Sequence, residues 1–268
     1  RTPMNAIIGL DPIALSDAEL PDRTREYLEK IGVSAQQLLS LINDILDMSR
    51  IESGRLTLKN EAFSFARLLE QVNTIFSGQC MEKGLHYECK VQGKLDENYI
   101  GDSTKLRQVI INILGNAVKF TPEGGSIDFL IERTAQYEGK STLRMVMKDT
   151  GIGMSKDYLP HIFDTFSQED SSTTSKYGSS GLGMAITKNL IEMMNGTITV
   201  ESEKGAGTTF TVTVTLMDSD QQHITAGTEE IHPHELNVLV IDDDPIACQH
   251  ASLVLEQVGI ASESAHSG

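Results

Sequence analysis

The chain has 268 residues, with 22 Lys and Arg against 38 Asp and Glu and a formal net charge of −16 at neutral pH. That balance argues against nucleic acid or anionic lipid as a partner, because both are held by clustered basic side chains, and it confines any phosphate site to a local cluster. The length suits one large or two modest domains, and no stretch of about 18 apolar residues or secretion leader is present, so the expectation is a chain without membrane contact.

The first helical pattern carries Met4, Ile7 and Ile8 on one face and is broken from the next by Pro21-Asp22. From about Arg25 to Glu52, apolar residues fall at Leu28, Ile31, Ala35, Leu38, Ile42 and Ile45, alternating steps of three and four as in a coiled-coil seam. The two patterns predict an antiparallel hairpin. A hairpin cannot bury such a seam alone, so the economical assembly is a homodimer closing a four-helix bundle, with packing inside one chain as the simpler alternative.

After Gly54 the pattern becomes mixed. An alternating run at Leu56 to Leu58 precedes a helix from Ala66 to Met81, a strand from His86 to Val91, and a helix from Asp102 to about Lys119 capped by Asp102 or Ser103. Strands follow at Ser126 to Glu132 and Thr142 to Lys148, turning near Gly139. Residues 150–178 are rich in Ser, Thr, Gly and Asp, with one apolar patch at Leu159 to Phe166, and a loop this long in a compact domain is usually functional. A helix from Gly183 to about Met194 leads into strands at Thr197 to Glu203 and Thr208 to Leu216, joined through Gly205 and Gly207, predicting helices on one face of a sheet.

Beyond this the sequence is polar and aperiodic, as in a linker, until a strand at Asn237 to Ile241, a helix to about Val258 and a second strand opening at Ile260. The expected division is a helical hairpin at 1–54, an α/β domain at 55–217, a linker at 218–235 and an incomplete unit at 236–268. Cys80, Cys89 and Cys248 have no CxxC spacing and read as small apolar residues in a reducing compartment.

Four groups of residues in the α/β domain carry chemistry. Asn112, Asn116 and Lys119 lie on nearly one helix face, a set of neutral oxygens and one ammonium suited to Mg2+ and phosphate, although an Asn pair alone is more simply a polar face. Asp149-Thr150-Gly151-Ile152-Gly153 directly follows a strand, where a carboxylate can accept the exocyclic amine of adenine while the glycines allow close approach. Gly178-Ser179-Ser180-Gly181-Leu182-Gly183 opens a helix, whose free amides would receive phosphate. Gly205-Ala206-Gly207-Thr208 sits in the last hairpin and by itself is a plain turn.

In this order the groups resemble the ATP-binding fold of histidine kinases, shared with gyrase B, the Hsp90 chaperones and MutL. DSTKLRQVIINILGNAVKFTPEGG is similar to the family's asparagine box, DTGIGM to its first glycine box, IFDTFSQED to its phenylalanine box and YGSSGLGMAI to its second glycine box. By that resemblance Asn112 and Asn116 would act at Mg2+, Lys119 and Lys176 would face the phosphates of ATP, and Asp149 would read adenine. Gly151, Gly153, Phe163, Phe166, Tyr177, Gly178, Gly181, Leu182, Gly183 and Thr208 would complete the nucleotide site, with Thr150 to Gly183 as a lid.

The resemblance continues at both ends. Arg1-Thr2-Pro3-Met4-Asn5 is similar to the residues that follow the phosphoacceptor histidine in the pattern H-E-x-R-T-P-[LM]-N, which separates histidine kinases from their ATPase relatives and gives Thr2 the phosphatase position. VLVIDDDPIACQHASLVLEQVG is similar to the first strand and helix of flavodoxin-like receivers, with Asp242 and Asp243 matching the paired acids that bind Mg2+. The implied fold class is α+β: a two-helix hairpin, an α/β sandwich ATP-binding domain, and the truncated start of a receiver.

The implied activity is that of a hybrid sensor histidine kinase, passing the γ-phosphate of ATP to a hairpin histidine and onward to an aspartate of a receiver, its own or a separate response regulator's. The phosphoacceptor is expected three positions before Arg1. His86, His161, His223, His232, His234, His250 and His266 lie outside the hairpin and lack the motif context. A cytoplasmic location is expected, with any membrane anchor upstream. The alternatives are an ATP-binding pseudokinase or scaffold of the same fold, and an ATP-hydrolysing chaperone or topoisomerase module, against which the hairpin and receiver-like tail speak. Ser175 and Ser179 stand where the family often has Arg and Gly, Thr165 where it has Pro, and Pro12 is able to kink the first helix.

Overall fold

The computed structural model describes residues 2–17, 20–169, 181–219, 237–241, 245–257 and 259–265. It separates into two units, one of Arg1–Asn43 with His223–Gly268 and one of Asp44–Gln222.

In the first unit, α1 (Thr2–Leu15) continues through Pro12. Arg25, in the first turns of α2 (Asp22–Glu52), donates from Nη1 to the carbonyl of Leu15, the last residue of α1, at 2.8 Å and from Nη2 to the carbonyl of Asp17 just beyond it at 3.1 Å, tying the end of α1 to α2. Gly32 and Ala35 are the buried residues of α2. A Cβ on Gly32 would lie 2.1 Å from Asp11 Oδ2, so the Asp11 carboxylate occupies the space that a side chain at position 32 would take. The same unit holds β8 (Asn237–Ile241), α6 (Pro245–Gln257) and β9 (Ala261–Ala265), a strand-helix-strand repeat whose strands pair in parallel, with α6 lying against α1.

The second unit is a sheet of β1 (Glu61–Ser64), β2 (His86–Gln92), β3 (Asn98–Gly101), β4 (Ser126–Tyr137), β5 (Lys140–Asp149), β6 (Thr197–Glu203) and β7 (Gly207–Asp218). Its order is β1-β3-β7-β5-β4-β2, with β6 also on β7; β2 runs parallel to β4 and every other pair is antiparallel. Burial alternates residue by residue along β5, so one face is core and the other is wetter.

The core face is covered by α3 (Phe65–Glu82), α4 (Ser103–Phe120) and α5 (Gly183–Met193), whose Val72, Phe76, Ile110, Leu114, Ile186 and Leu190 pack into one cluster with Ile127, Met145 and Val212 of the strands. Ser64 and Asp102 cap α3 and α4 by accepting from the amides of Arg67 at 3.3 Å and Lys105 at 2.9 Å, which resolves the cap of the second helix in favour of Asp102.

Two differences from the sequence reading are local. Residues 55–60 have no regular structure and pairing begins only at Glu61, where β1 finds β3; these edge strands are short and weakly patterned. β7 runs to Asp218 because Met217 and Asp218 pair with Ile100 and Tyr99, so the sheet consumes the first residue assigned to the linker. Among the described residues no helix is long and apolar enough to cross a membrane.

Candidate functional site

The C-terminal end of β5 and the adjoining ends of α4 and α5 bring most of the expected residues together. Asp149, the last residue of β5, is only 7% exposed and accepts from the Gly151 amide at 2.8 Å. Burial pushes its carboxyl above the ordinary aspartate range, partly offset by hydrogen bonds from the Gly151 and Thr208 amides. Thr208 stands opposite in the β5–β7 register and is itself buried.

The glycines here are demanded by backbone proximity. A Cβ on Gly151 would lie 2.7 Å from both Asp149 Oδ1 and the Phe120 carbonyl oxygen, and one on Gly153, at φ 62°, would lie 2.0 Å from the Glu203 carbonyl oxygen. The Ile152 amide donates to the Phe120 carbonyl at 3.1 Å, so the loop after β5 is fastened to the end of α4.

Ser202 was missed in the sequence. Its hydroxyl accepts from the Met154 amide at 2.8 Å, donates to the Gly207 carbonyl at 2.8 Å and lies 2.9 Å from the Thr208 hydroxyl, joining both turns beside Asp149. A polar residue in an alternating strand carries no signal that distinguishes such a hub. Lys83 was also missed; its ammonium donates to the Val118 and Lys119 carbonyls at 2.6 and 3.0 Å, closing the C-terminus of α4.

On α4, Asn112, Asn116 and Lys119 are all half-buried. Asn112 donates from Nδ2 to the Gly183 carbonyl and to Thr187 Oγ1, each at 3.2 Å, which ties its carboxamide to the first turn of α5. Burial lowers the pKa of the Lys119 ammonium below that of an ordinary lysine, and Nζ sits 5.1 Å from the Phe120 ring centre. No side chain caps the first turn of α5: Leu182 at the cap is buried and apolar, and Gly183 follows.

Gly181 at φ 69° accepts from the Phe166 amide at 3.0 Å, and a Cβ on it would press 2.8 Å from the Phe166 carbonyl carbon. The two expected phenylalanines part company. Phe163 packs against the core with the Lys188 ammonium 5.6 Å from its ring centre, whereas Phe166 is 70% exposed with a positive φ of 61°. Lys176, Tyr177, Gly178, Asp242 and Asp243 lie outside the described residues, and Thr2 is the first residue of α1.

Residues 1–54 match the family described as His Kinase A (phospho-acceptor) domain, and residues 101–218 match the family described as Histidine kinase-, DNA gyrase B-, and HSP90-like ATPase. The autoinducer 2 sensor kinase/phosphatase LuxQ of Vibrio parahaemolyticus is 36% identical over 256 residues, covering 91% of this chain and 29% of that protein. The signal transduction histidine-protein kinase BarA of Escherichia coli is 38% identical over 210 residues, covering 78% of this chain and 23% of its own length. Hybrid signal transduction histidine kinase L of Dictyostelium discoideum is 40% identical over 231 residues, covering 84% and 13%. The chain therefore spans less than a third of the curated relatives it matches. Among solved structures, full-length ShkA in complex with AMPPNP superposes with a TM-score of 0.65 at 29% identity, covering 99% of this chain and 53% of that one.

Proposed function

The chain belongs to the histidine kinases, carrying a phospho-acceptor hairpin followed by a histidine kinase-type ATPase domain, and we propose on that premise that it binds Mg·ATP between α4 and the segment 150–183. The γ-phosphate then passes to a phospho-acceptor histidine and onward to a receiver aspartate. The observation that carries the reading is Asp149, a buried carboxylate held by the Gly151 and Thr208 amides at the end of β5, in the unit where the start of α5 meets the Asn112 carboxamide of α4.

Each role follows from chemistry at this place. Asp149 accepts the exocyclic amine of adenine, with Gly151, Gly153 and Thr208 forming the floor. The start of α5 at Gly183, which no side chain caps, with Gly181 and Leu182 before it, is assigned to the phosphate oxygens. Lys119, Phe163 and Phe166 are assigned to the phosphate and lid side of the same site, and the family resemblance alone gives that role to Lys176, Tyr177 and Gly178. Lys119 is half-buried, so part of the cost of desolvating its ammonium is met before phosphate arrives.

Mg2+, when bound, neutralises charge on the triphosphate oxygens. The donors fit it: Asn112 and Asn116 present neutral carboxamide oxygens, and among the described residues no group of three or more His, Cys, Asp or Glu forms a cage, which suits a cation that arrives largely ligated by phosphate and water. Thr2 is assigned to dephosphorylation of a receiver, and Asp242 and Asp243 to a receiver Mg2+ site. The partners are a second copy, through the hairpin, and a receiver.

The test has two parts. Isothermal calorimetry with Mg·AMPPNP should show binding to the parent chain and strong weakening by Asp149→Asn and by Gly181→Ala. Radiolabelled ATP should then place acid-labile label on a kinase-dead partner carrying a complete hairpin. Binding without label transfer would favour the pseudokinase or scaffold reading, and parent-like binding by both variants would overturn the site.

A further inference from the structure

Thr187 has no role so far, yet it is fully buried on α5 beside the site. It lies one helical turn after Gly183, so its hydroxyl and the Gly183 carbonyl point at the same neighbour. That neighbour is Asn112, whose Nδ2 lies 3.2 Å from Thr187 Oγ1 and 3.2 Å from the Gly183 oxygen.

A carboxamide has one donor end and one acceptor end of nearly equal size, so its orientation must be fixed by its partners. The Gly183 carbonyl can only accept. Were Asn112 flipped, two oxygens would meet where a hydrogen bond now stands. Thr187 Oγ1 supplies a second acceptor to the same amide nitrogen. With Nδ2 held by two acceptors on α5, Oδ1 is the end of the carboxamide turned away from that helix.

We propose that Thr187 is a positioning residue that, with the Gly183 carbonyl, locks the Asn112 carboxamide so that its oxygen rather than its amide faces the Mg2+ of bound nucleotide. This rests on the Mg·ATP reading above. An amide hydrogen turned toward a cation is repulsive, so freeing the rotation weakens only the metal-dependent part of binding. The same pair joins α4 to the first turn of α5, making the metal side and the phosphate side of the site one unit.

The experiment is calorimetry with AMPPNP, in saturating Mg2+ and in EDTA, on the parent, Thr187→Val, Thr187→Ser and Asn112→Ala. Thr187→Val keeps shape and loses the acceptor. It should weaken binding in Mg2+ by about threefold to tenfold, the range of one hydrogen bond, leave the EDTA value unchanged, and be rescued by Ser. In the Asn112→Ala background Thr187→Val should have no further effect on Mg2+ dependence. Thr187→Ala provides the same loss if Val does not fold.

Equal weakening with and without Mg2+, no weakening, or an effect that survives intact in Asn112→Ala would overturn the proposal while leaving nucleotide binding standing. Absence of AMPPNP binding by the folded parent would overturn the site reading itself.

Discussion

Asp149 is held in conflict. The fold buries a carboxylate that favours the neutral form, while the proposed ligand needs the ionised one. Because its folded pKa is raised above 3.8, ionisation costs the folded state stability, and protonation restores it as pH falls through the raised value. Nucleotide affinity should move the opposite way, declining with acid in a window above the ordinary aspartate range. Asp149→Asn should lose about tenfold or more in AMPPNP affinity, the scale of a hydrogen bond to a charged group, abolish that pH dependence, and leave the thermal midpoint equal or higher. Calorimetry and thermal melts across pH read all three. A second prediction concerns Gly153, whose positive φ and 2.0 Å approach to Glu203 leave no room for a methyl group. Gly153→Ala should destabilise by about 2 kcal/mol or more in urea unfolding. The place of Asp149 and both glycines at the end of a strand was legible, because the alternating run stops there and G-x-G marks a turn; the adenine role came only from the order of the motifs. Ser202 was not, since its three contacts come from segments that meet only in the fold.

The long helix α2 serves different ends along its length. In its N-terminal part Ile31 and Leu38 are 50% and 47% exposed in one chain, and Ile45 further on is 54% exposed, as a seam awaiting a second copy would be. Leu38→Lys with Ile42→Glu should therefore give monomers in sedimentation, and an unchanged dimer would disprove the seam. Near its C-terminal end Asp47 accepts from the Lys105 ammonium at 3.0 Å and from Gln108 Nε2 at 3.1 Å, fastening α2 to the first turns of α4. Burial raises the Asp47 pKa, but the hydrogen bonds from Lys105 and Gln108 and the charges of Lys105 and Arg50 outweigh it and bring it below 3.8. The pair thus stabilises fully above the ordinary aspartate range, and the gain is lost as pH falls through the lowered value. Lys105→Met should cost about 1–3 kcal/mol at neutral pH by leaving a partly buried carboxylate without its cation, and should flatten the acid limb of the stability curve. Heptad spacing marked the candidate seam; the Asp47 contact had no sequence signature, because its partners lie 58 and 61 residues away.

For the whole molecule, the sequence by itself determined the two kinds of architecture, a helical hairpin and a mixed α/β domain. Local rules suffice there: apolar spacing of period 3.5, a cap at Asp102 or Ser103, strands of period 2, and glycines where backbone must approach backbone. It also placed the nucleotide motifs in an order that few folds share. The tertiary structure alone decided the strand order, including the parallel β2–β4 pair inside an otherwise antiparallel sheet and the edge strands β1 and β3 that no pattern announced. It decided that β7 continues to Asp218 by pairing with β3, and that Phe163 turns inward while Phe166 faces outward. It also decided which end of the Asn112 carboxamide meets α5, through an acceptor 75 residues along the chain. The reason is common to all of these. Propensity, capping and turn chemistry act between residues a few positions apart, whereas pairing partners, edge strands and the orientation of a polar side chain depend on groups that become neighbours only when the core closes.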